Sequence, residues 1–280
     1  FDPSSGVNTI FHSINKSPFE TYKKPLVFDK EGEYLLSFYA IDNVGNKEDE
    51  GQRNIVVDNT PPVTTMSIEG PQHNDVIAAT SQFTFQATDA NGVKETFFSV
   101  NNANFSRYSR AVGVKNLPEG EHTISWYSVD MVGNQEEKQI FNFFVDRTPP
   151  MVFEEIVGNT YIVSGREFSS GRSQLRIVAV DNKAGVREIH YSINKEPFKL
   201  YEKPIFLSEI TGAVTVRSYA IDNVDNRGVS DTEGQQFSMP EVDITGPDIR
   251  YSYTGPRLNL RDTLWVSPKT KVNISANDKG

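Results

Sequence analysis

Along most of the chain apolar and polar residues alternate with a period of two. The segments Gln82–Asp89, Thr96–Val100, Glu121–Asp130 and Gln139–Val145 show it most clearly, and they are rich in aromatic and β-branched residues. This is the pattern of half-buried strands. Clusters of Gly, Pro, Asn and Asp interrupt it at short intervals, and no window of a dozen residues has an amphipathic helical period. About seven short strands per roughly 90 residues predict an all-β fold of two-sheet sandwiches with Greek-key, immunoglobulin-like connections.

The chain repeats itself. Tyr39-Ala-Ile-Asp-Asn-Val-Gly-Asn46 returns as Tyr127-Ser-Val-Asp-Met-Val-Gly-Asn134 and as Tyr219-Ala-Ile-Asp-Asn-Val-Asp-Asn226, at offsets of 88 and 92 residues. Downstream of the first two copies stand Val57-Asp-Asn-Thr-Pro-Pro62 and Val145-Asp-Arg-Thr-Pro-Pro150, and the third has Val242-Asp-Ile-Thr-Gly-Pro247 after a longer interval. A third landmark is Asp2 before Gly6-Val7, then Asp89-Ala-Asn-Gly-Val93, Asp181-Asn-Lys-Ala-Gly-Val186, and Asp278. Ser13-Ile-Asn-Lys-Ser-Pro-Phe-Glu-Thr-Tyr22 and Ser192-Ile-Asn-Lys-Glu-Pro-Phe-Lys-Leu-Tyr201 agree at seven of ten positions.

These landmarks divide the chain into four parts. Residues 63–150 and 151–247 are complete repeats. Residues 1–62 form a repeat without its first two strands, and residues 248–280 supply the first two strands of another. The absence of an initiator Met is read in the same sense, as a piece of a longer array. Thr-Pro-Pro at the boundaries fixes φ at successive positions and favours an extended spacer, which predicts a rod-like array of tandem sandwiches. Gly246 replaces one of those prolines and predicts a softer boundary.

Composition narrows the function. The net charge is −9 with Lys and Arg scattered, which argues against nucleic acid and towards cations as small partners. No apolar run is long enough to span a bilayer. The absence of Cys excludes disulfides, thiolate metal sites and Cys nucleophiles.

Taken in order, Gly-Val, Tyr-Ser-Ile-Asn, Pro-Phe, Tyr, Pro, Gly, Tyr-Ala-Ile-Asp-Asn-Val-Gly-Asn and Val-Asp-Asn-Thr-Pro-Pro resemble the bacterial immunoglobulin-like tandem repeats of the OmpL-type "beta-barrel domain" family. The likeness covers essentially the whole chain. Tyr191 through Tyr201 and Pro204 to Ala220 and Asp222 also is similar to the small accessory domain of some bacterial hexosaminidases. The resemblance implies a module of large secreted or outer-envelope proteins with no catalysis of its own. A membrane barrel is excluded by the residues themselves, because both strand faces carry Lys, Glu, Gln and Asn where a lipid-facing apolar band would be needed.

Three kinds of candidate chemistry remain. The histidines His12, His73, His122 and His190 fall at unrelated repeat positions, no nucleophile elbow, phosphate loop or zinc helix is present, and the chain reads as non-enzymatic. His122, at the start of a strand, is read as a surface residue. The recurring pairs Phe19 and Tyr22, Phe105 and Tyr108, and Phe198 and Tyr201 are read as core and edge plugs rather than a sugar-stacking platform, and Trp126, where the other repeats have Phe38 and Ser218, as core.

The third candidate is a metal. In an immunoglobulin-type sandwich the second and sixth strands end at the pole where the chain enters the domain. That topology predicts two clusters: Asp58, Asp89, Asp130 and Asn134 in one repeat, and Asp146, Asp181, Asp222 and Asn226 in the next. Gathered carboxylates favour a hard cation such as Ca2+ at the inter-repeat junctions, with Asp, Asn and loop carbonyls as oxygen ligands. The competing explanation is turn chemistry, because Asp and Asn at strand ends form Asx turns unaided. The functional expectation is a stalk or adhesive segment of a bacterial exported or outer-envelope protein, placed outside the cytoplasm. Its partners would be neighbouring repeats and a host or cell-surface protein or glycan. The alternative is an accessory carbohydrate-binding or spacer segment of a secreted glycosidase.

Overall fold

A computed structural model describes residues 5–210, 215–230, 237–238 and 240–278. Asp2, one of the landmarks, lies outside the described residues. Apart from one 3-10 turn at Leu207–Glu209, the regular structure among these residues is strand.

The strands follow the repeats. Residues 7–57 carry β1 (Val7–Ile14), β2 (Glu20–Thr21), β3 (Gly32–Asp42) and β4 (Gly51–Val57). Then come β5 (Val63–Glu69), β6 (Gln72–His73), β7 (Val76–Ala78), β8 (Gln82–Thr88), β9 (Val93–Val100), β10 (Ser106–Arg107), β11 (Val112–Gly113), β12 (Gly120–Asp130) and β13 (Gln139–Asp146). The next repeat has β14 (Met151–Val157), β15 (Thr160–Val163), β16 (Arg166–Ser170), β17 (Gln174–Val180), β18 (Val186–Ile193), β19 (Lys199–Leu200), β20 (Ile205–Phe206), β21 (Thr215–Asp222), β22 (Arg227–Val229), β23 (Phe237–Ser238) and β24 (Glu241–Asp243). Last are β25 (Asp248–Thr254), β26 (Arg257–Leu260), β27 (Thr263–Val266) and β28 (Lys271–Asn277).

The chain forms two compact units, Phe1–Gly70 with Ala79–Val145, and Pro71–Ala78 with Asp146–Gly280. In the first, β2, β1, β3 and β4 form one sheet in that order; β11, β8 and β5 form another, and β10, β9, β12 and β13 are successive neighbours in a third. Chain order alternates between the last two sheets, β8 to β9 and then β10 through β11 to β12, which is how an immunoglobulin-like sandwich is wound. The second unit repeats the arrangement, with β14, β17 and β20 in one sheet and β19, β18, β21 and β22 in its mate. There β16 also runs parallel to β24.

Strand parity decides what is inside. In β12 the even positions His122, Ile124, Trp126, Ser128 and Asp130 are all buried, and Phe83, Phe85, Phe143 and Val145 meet them from neighbouring strands. Phe85 lies 5.4 Å from Trp126 and Phe83 lies 4.9 Å from Phe143, ring centre to ring centre. His122 is therefore not the surface residue expected. The alternation that buries Ile124 and Trp126 also turns His122 inward, where Nδ1 meets the Asn101 amide and Nε2 meets the Pro118 carbonyl. In the second unit Val152, Leu175, Ile177, Leu207, Ile210, Val216 and Ala220 make the equivalent core.

Candidate cation sites at the strand ends

Two strands, β12 and β21, end on an inward-parity Asp, so Asp130 and Asp222 are wholly buried carboxylates at one pole of their sandwiches. Opposite each, the pairing of the neighbouring strand slips by one residue, at Val129 and Asp130 against β9 and at Val186 and Glu188 against β21. Such bulges re-aim the end of a strand. Immediately after β4 and β8 stand Asp58 and Asp89; β13 ends on Asp146, and Asp181 follows β17.

The two triads converge. One carboxylate oxygen from each of Asp58, Asp89 and Asp130 lies within 4.8 Å of the others, and the same holds for Asp146, Asp181 and Asp222. A cation holding oxygens at roughly 2.4 Å needs ligands no more than about 4.8 Å apart, so this spacing suits one calcium-sized ion per triad.

Asx turns are also present, and they use one oxygen of each Asp. Asp130 Oδ1 accepts from the backbone N–H groups of Val132, Gly133 and Asn134, and Asp222 Oδ1 accepts from those of Val224 and Asn226. Asp58 and Asp146 accept from Thr60 and Thr148, Asp89 from Asn91 and Gly92, and Asp181 from Lys183 and Gly185. Turn chemistry accounts for these bonds. It does not account for three carboxylates facing one another.

Asn134 and Asn226 face the triads with their amide donors. Asn134 Nδ2 donates to Asp130 Oδ2 at 2.7 Å and to the Asp58 carbonyl at 2.9 Å. Asn226 Nδ2 donates to Asp222 Oδ2 at 2.8 Å and to the Asp146 carbonyl at 3.4 Å. In this geometry both brace a carboxylate and tie the entering chain to the sixth strand. Asp42 of the first repeat has the same brace from Asn46 Nδ2.

The electrostatics differ along each triad. Burial alone would push the Asp130 carboxyl up, but the Asn134 side chain and the backbone N–H groups of Asn134, Gly133 and Val132 outweigh it and hold the group below its usual range. Asp146 goes the other way. Burial raises it first, the charges of Asp181 and Asp222 add to that, and the bonds from Thr148 and Ala184 offset only part. Two unit charges 4 Å apart repel by about 1 kcal/mol in water and about 4 kcal/mol at an effective dielectric of about 20, and it is at Asp146 that this repulsion is felt.

Two other features surround these sites. Glu136 is buried and accepts from Thr64 N, Thr64 Oγ1 and Ser128 N. Sequence reasoning missed it because the position behaves differently in each repeat: the first has Glu48, exposed, and the next has Gly228. The aromatic pairs divide their roles. Tyr108 packs on Phe85 and Tyr201 accepts from Ile177 N, both against the core, whereas Phe19, Phe105 and Phe198 lie against Tyr39, Tyr127 and Tyr219 at 4.8, 4.9 and 4.9 Å. Lys47 sits 3.9 Å over Tyr39 and Arg227 sits 3.7 Å over Tyr219.

Residues 21–94 and 106–188 each match the profile of the bacterial Ig-like domain (group 3), together more than half of the chain. The chain belongs to the bacterial Ig-like domain (group 3) family. Both matches of this Ig-like family contain an end-of-strand Asp, a linker Asp and a second-strand Asp in the same order: Asp42, Asp58 and Asp89, then Asp130, Asp146 and Asp181. No curated protein matches the chain. Among solved structures, one of a 1.5-MDa bacterial ice-binding adhesin is 12% identical, with 85% of this chain and 86% of that chain covered and a TM-score of 0.39. The fibronectin(III)-like modules of Clostridium thermocellum CbhA are 17% identical over 52% of this chain and 81% of theirs, at a TM-score of 0.32. Dimeric latent PorU from Porphyromonas gingivalis is 12% identical over 86% of this chain and 30% of its own, at 0.28. At these identities and scores none of the three bears on function.

Proposed function

We propose that this chain is a non-enzymatic structural segment of a bacterial exported protein, an array of Ig-like repeats working outside the cytoplasm as a stalk or adhesive spacer. Divalent cations, calcium foremost, bound by the Asp triads would order the chain where it enters each repeat. The observation that carries the reading is the recurrence of one architecture twice: a linker Asp, a second-strand Asp and a sixth-strand Asp brought together in repeats of one family. A single catalytic cleft would not need to appear in every repeat, whereas a device that orders each entry point would. The carbohydrate alternative is less well supported, because the recurring Phe and Tyr rings pack on one another and two of the Tyr faces are covered by Lys47 and Arg227.

The test uses the whole chain in calcium and in excess chelator. Calcium at one hundred times Kd stabilises by about 2.7 kcal/mol per site, which should raise Tm by several degrees. Trypsin reports the local effect, because Arg147 follows the ligand Asp146 directly and its side chain is exposed. Cleavage after Arg147 should slow in calcium. A melting curve and a digestion rate that both ignore the chelator would sink the cation-ordered stalk.

A further inference from the structure

The two triads are not copies in one respect, and the difference begins with one carboxylate oxygen that has no donor. Asp181 Oδ2 has no accessible surface and no hydrogen-bond partner among the described residues. A sealed, unpartnered carboxylate oxygen is costly unless a positive charge meets it. Beside it, Asp146 and Asp222 are both wholly buried, so three carboxylates are held in place with two entirely out of solvent. In the other triad Asp130 alone is wholly buried, Asp58 and Asp89 keep contact with water, and the Asn91 side-chain amide already donates to Asp58 Oδ2 at 2.8 Å. Asp146 Oδ2 likewise accepts from Ala184 N at 3.2 Å, so the linker Asp has a donor in both triads and the contrast lies in the Asp181 oxygen and in burial.

We infer that the triads are unequal cation sites, filled in order. Asp146, Asp181 and Asp222 form the tight site for a hard divalent cation, while Asp58, Asp89 and Asp130 form a weak site that responds at higher concentration. Rigidity and charge count set calcium affinity; the charge count is the same in both triads, but one holds two carboxylates out of solvent and a sealed oxygen without a donor, and is the more rigidly preformed. The consequence is graded ordering: as calcium rises, the entry to the repeat at 151–247 is fixed first and the entry to the repeat at 63–150 follows. This rests on the reading of the triads as cation sites given above.

Equilibrium dialysis of the full chain against radiolabelled calcium gives stoichiometry and affinity directly. Two sites are expected, with Kd values at least about tenfold apart. D181N should remove the tight site and leave the weak one, and D89N should do the reverse. Melting each variant in chelator checks the fold, because loss of a repelling charge should not lower Tm there. Two sites of equal affinity, or loss of the tight site in D89N, would overturn the order while leaving the cation-ordered array intact. No bound calcium at all would remove both.

Discussion

Asp146 carries the sharpest consequence at the level of one residue. Its carboxyl is pushed up by burial and by Asp181 and Asp222, so the folded chain favours the protonated form more than the unfolded chain does. The sign follows from linkage. Without a cation this group's penalty is fully present at neutral pH and shrinks as pH falls through the raised folded value towards 3.8, the ordinary value of the group. Replacing the charge with a neutral isostere should therefore cost more with calcium present than without it. Asn keeps one acceptor where Asp146 offers two, to Thr148 N and Ala184 N, so D146N is expected to lose more Tm relative to the parent chain in saturating calcium than in chelator, and an equal change in both buffers would refute the assignment. Much of this site was legible in the sequence, because Asp89 to Asp130 and Asp181 to Asp222 are each 41 residues apart, Asp58 and Asp146 each open the segment that ends in Thr-Pro-Pro, and the sandwich topology brings these landmarks together. The sealed oxygen of Asp181 and the bond from Asn91 to Asp58 were not legible. Both depend on how a loop closes over the triad, and one residue of loop length separates Asp89-Ala-Asn-Gly-Val93 from Asp181-Asn-Lys-Ala-Gly-Val186.

Among the elements, the β-hairpin that recurs as Ser-Ile-Asn-Lys is explained by its turn. Asn15 and Lys16, Asn101 and Asn102, and Asn194 and Lys195 all have positive φ, between 50° and 69°, at the two central positions of the hairpin after the third strand of the repeat. That is the geometry of a tight turn matched to the right-handed twist of its strands. Asn tolerates it, and its Oδ1 accepts from Leu35, Thr123 and Thr215 across the sheet. A buried Ser closes each turn from the other side, with Ser13, Ser99 and Ser192 hydroxyls donating 2.6 Å bonds to the carbonyls of Ser17, Ala103 and Glu196. Lys has no such compensation at positive φ. K195G should stabilise its repeat by roughly 0.5–1 kcal/mol, seen as a higher Tm, while N194G should lower it through loss of the Asn194 bond to Thr215. The motif was readable as a landmark, but its aromatic partners were not fully so: Phe198 and Tyr201 flank the two-residue β19, too short for strand parity to say which ring turns inward.

Across the whole molecule, the same repeat position meets different surroundings, and this decides where stability resides. Counting back from Asp89, Asp181 and Asp278, Phe85, Ile177 and Ile274 occupy one position of the second strand. Phe85 is 7% and Ile177 3% exposed, each covered by a mating sheet, but Ile274 on β28 is 73% exposed. Its neighbour two residues earlier behaves likewise: Phe83 and Leu175 are wholly buried and Val272 is 54% exposed. Sequence pattern assigns all of these to a sandwich interior, because period-two alternation specifies a face and not what covers it. The hydrophobic gain belongs only to surface removed from water. Ile177→Ser should therefore cost about 2–5 kcal/mol through lost packing and a cavity in the core of Val152, Leu175 and Leu207. Ile274→Ser should change the main transition of this chain by less than about 0.5 kcal/mol, as substitutions on an open surface do. Chemical denaturation of the two variants side by side measures both. An equal loss for Ile274→Ser would mean that β25 and β28 are covered in solution by something other than the strands described.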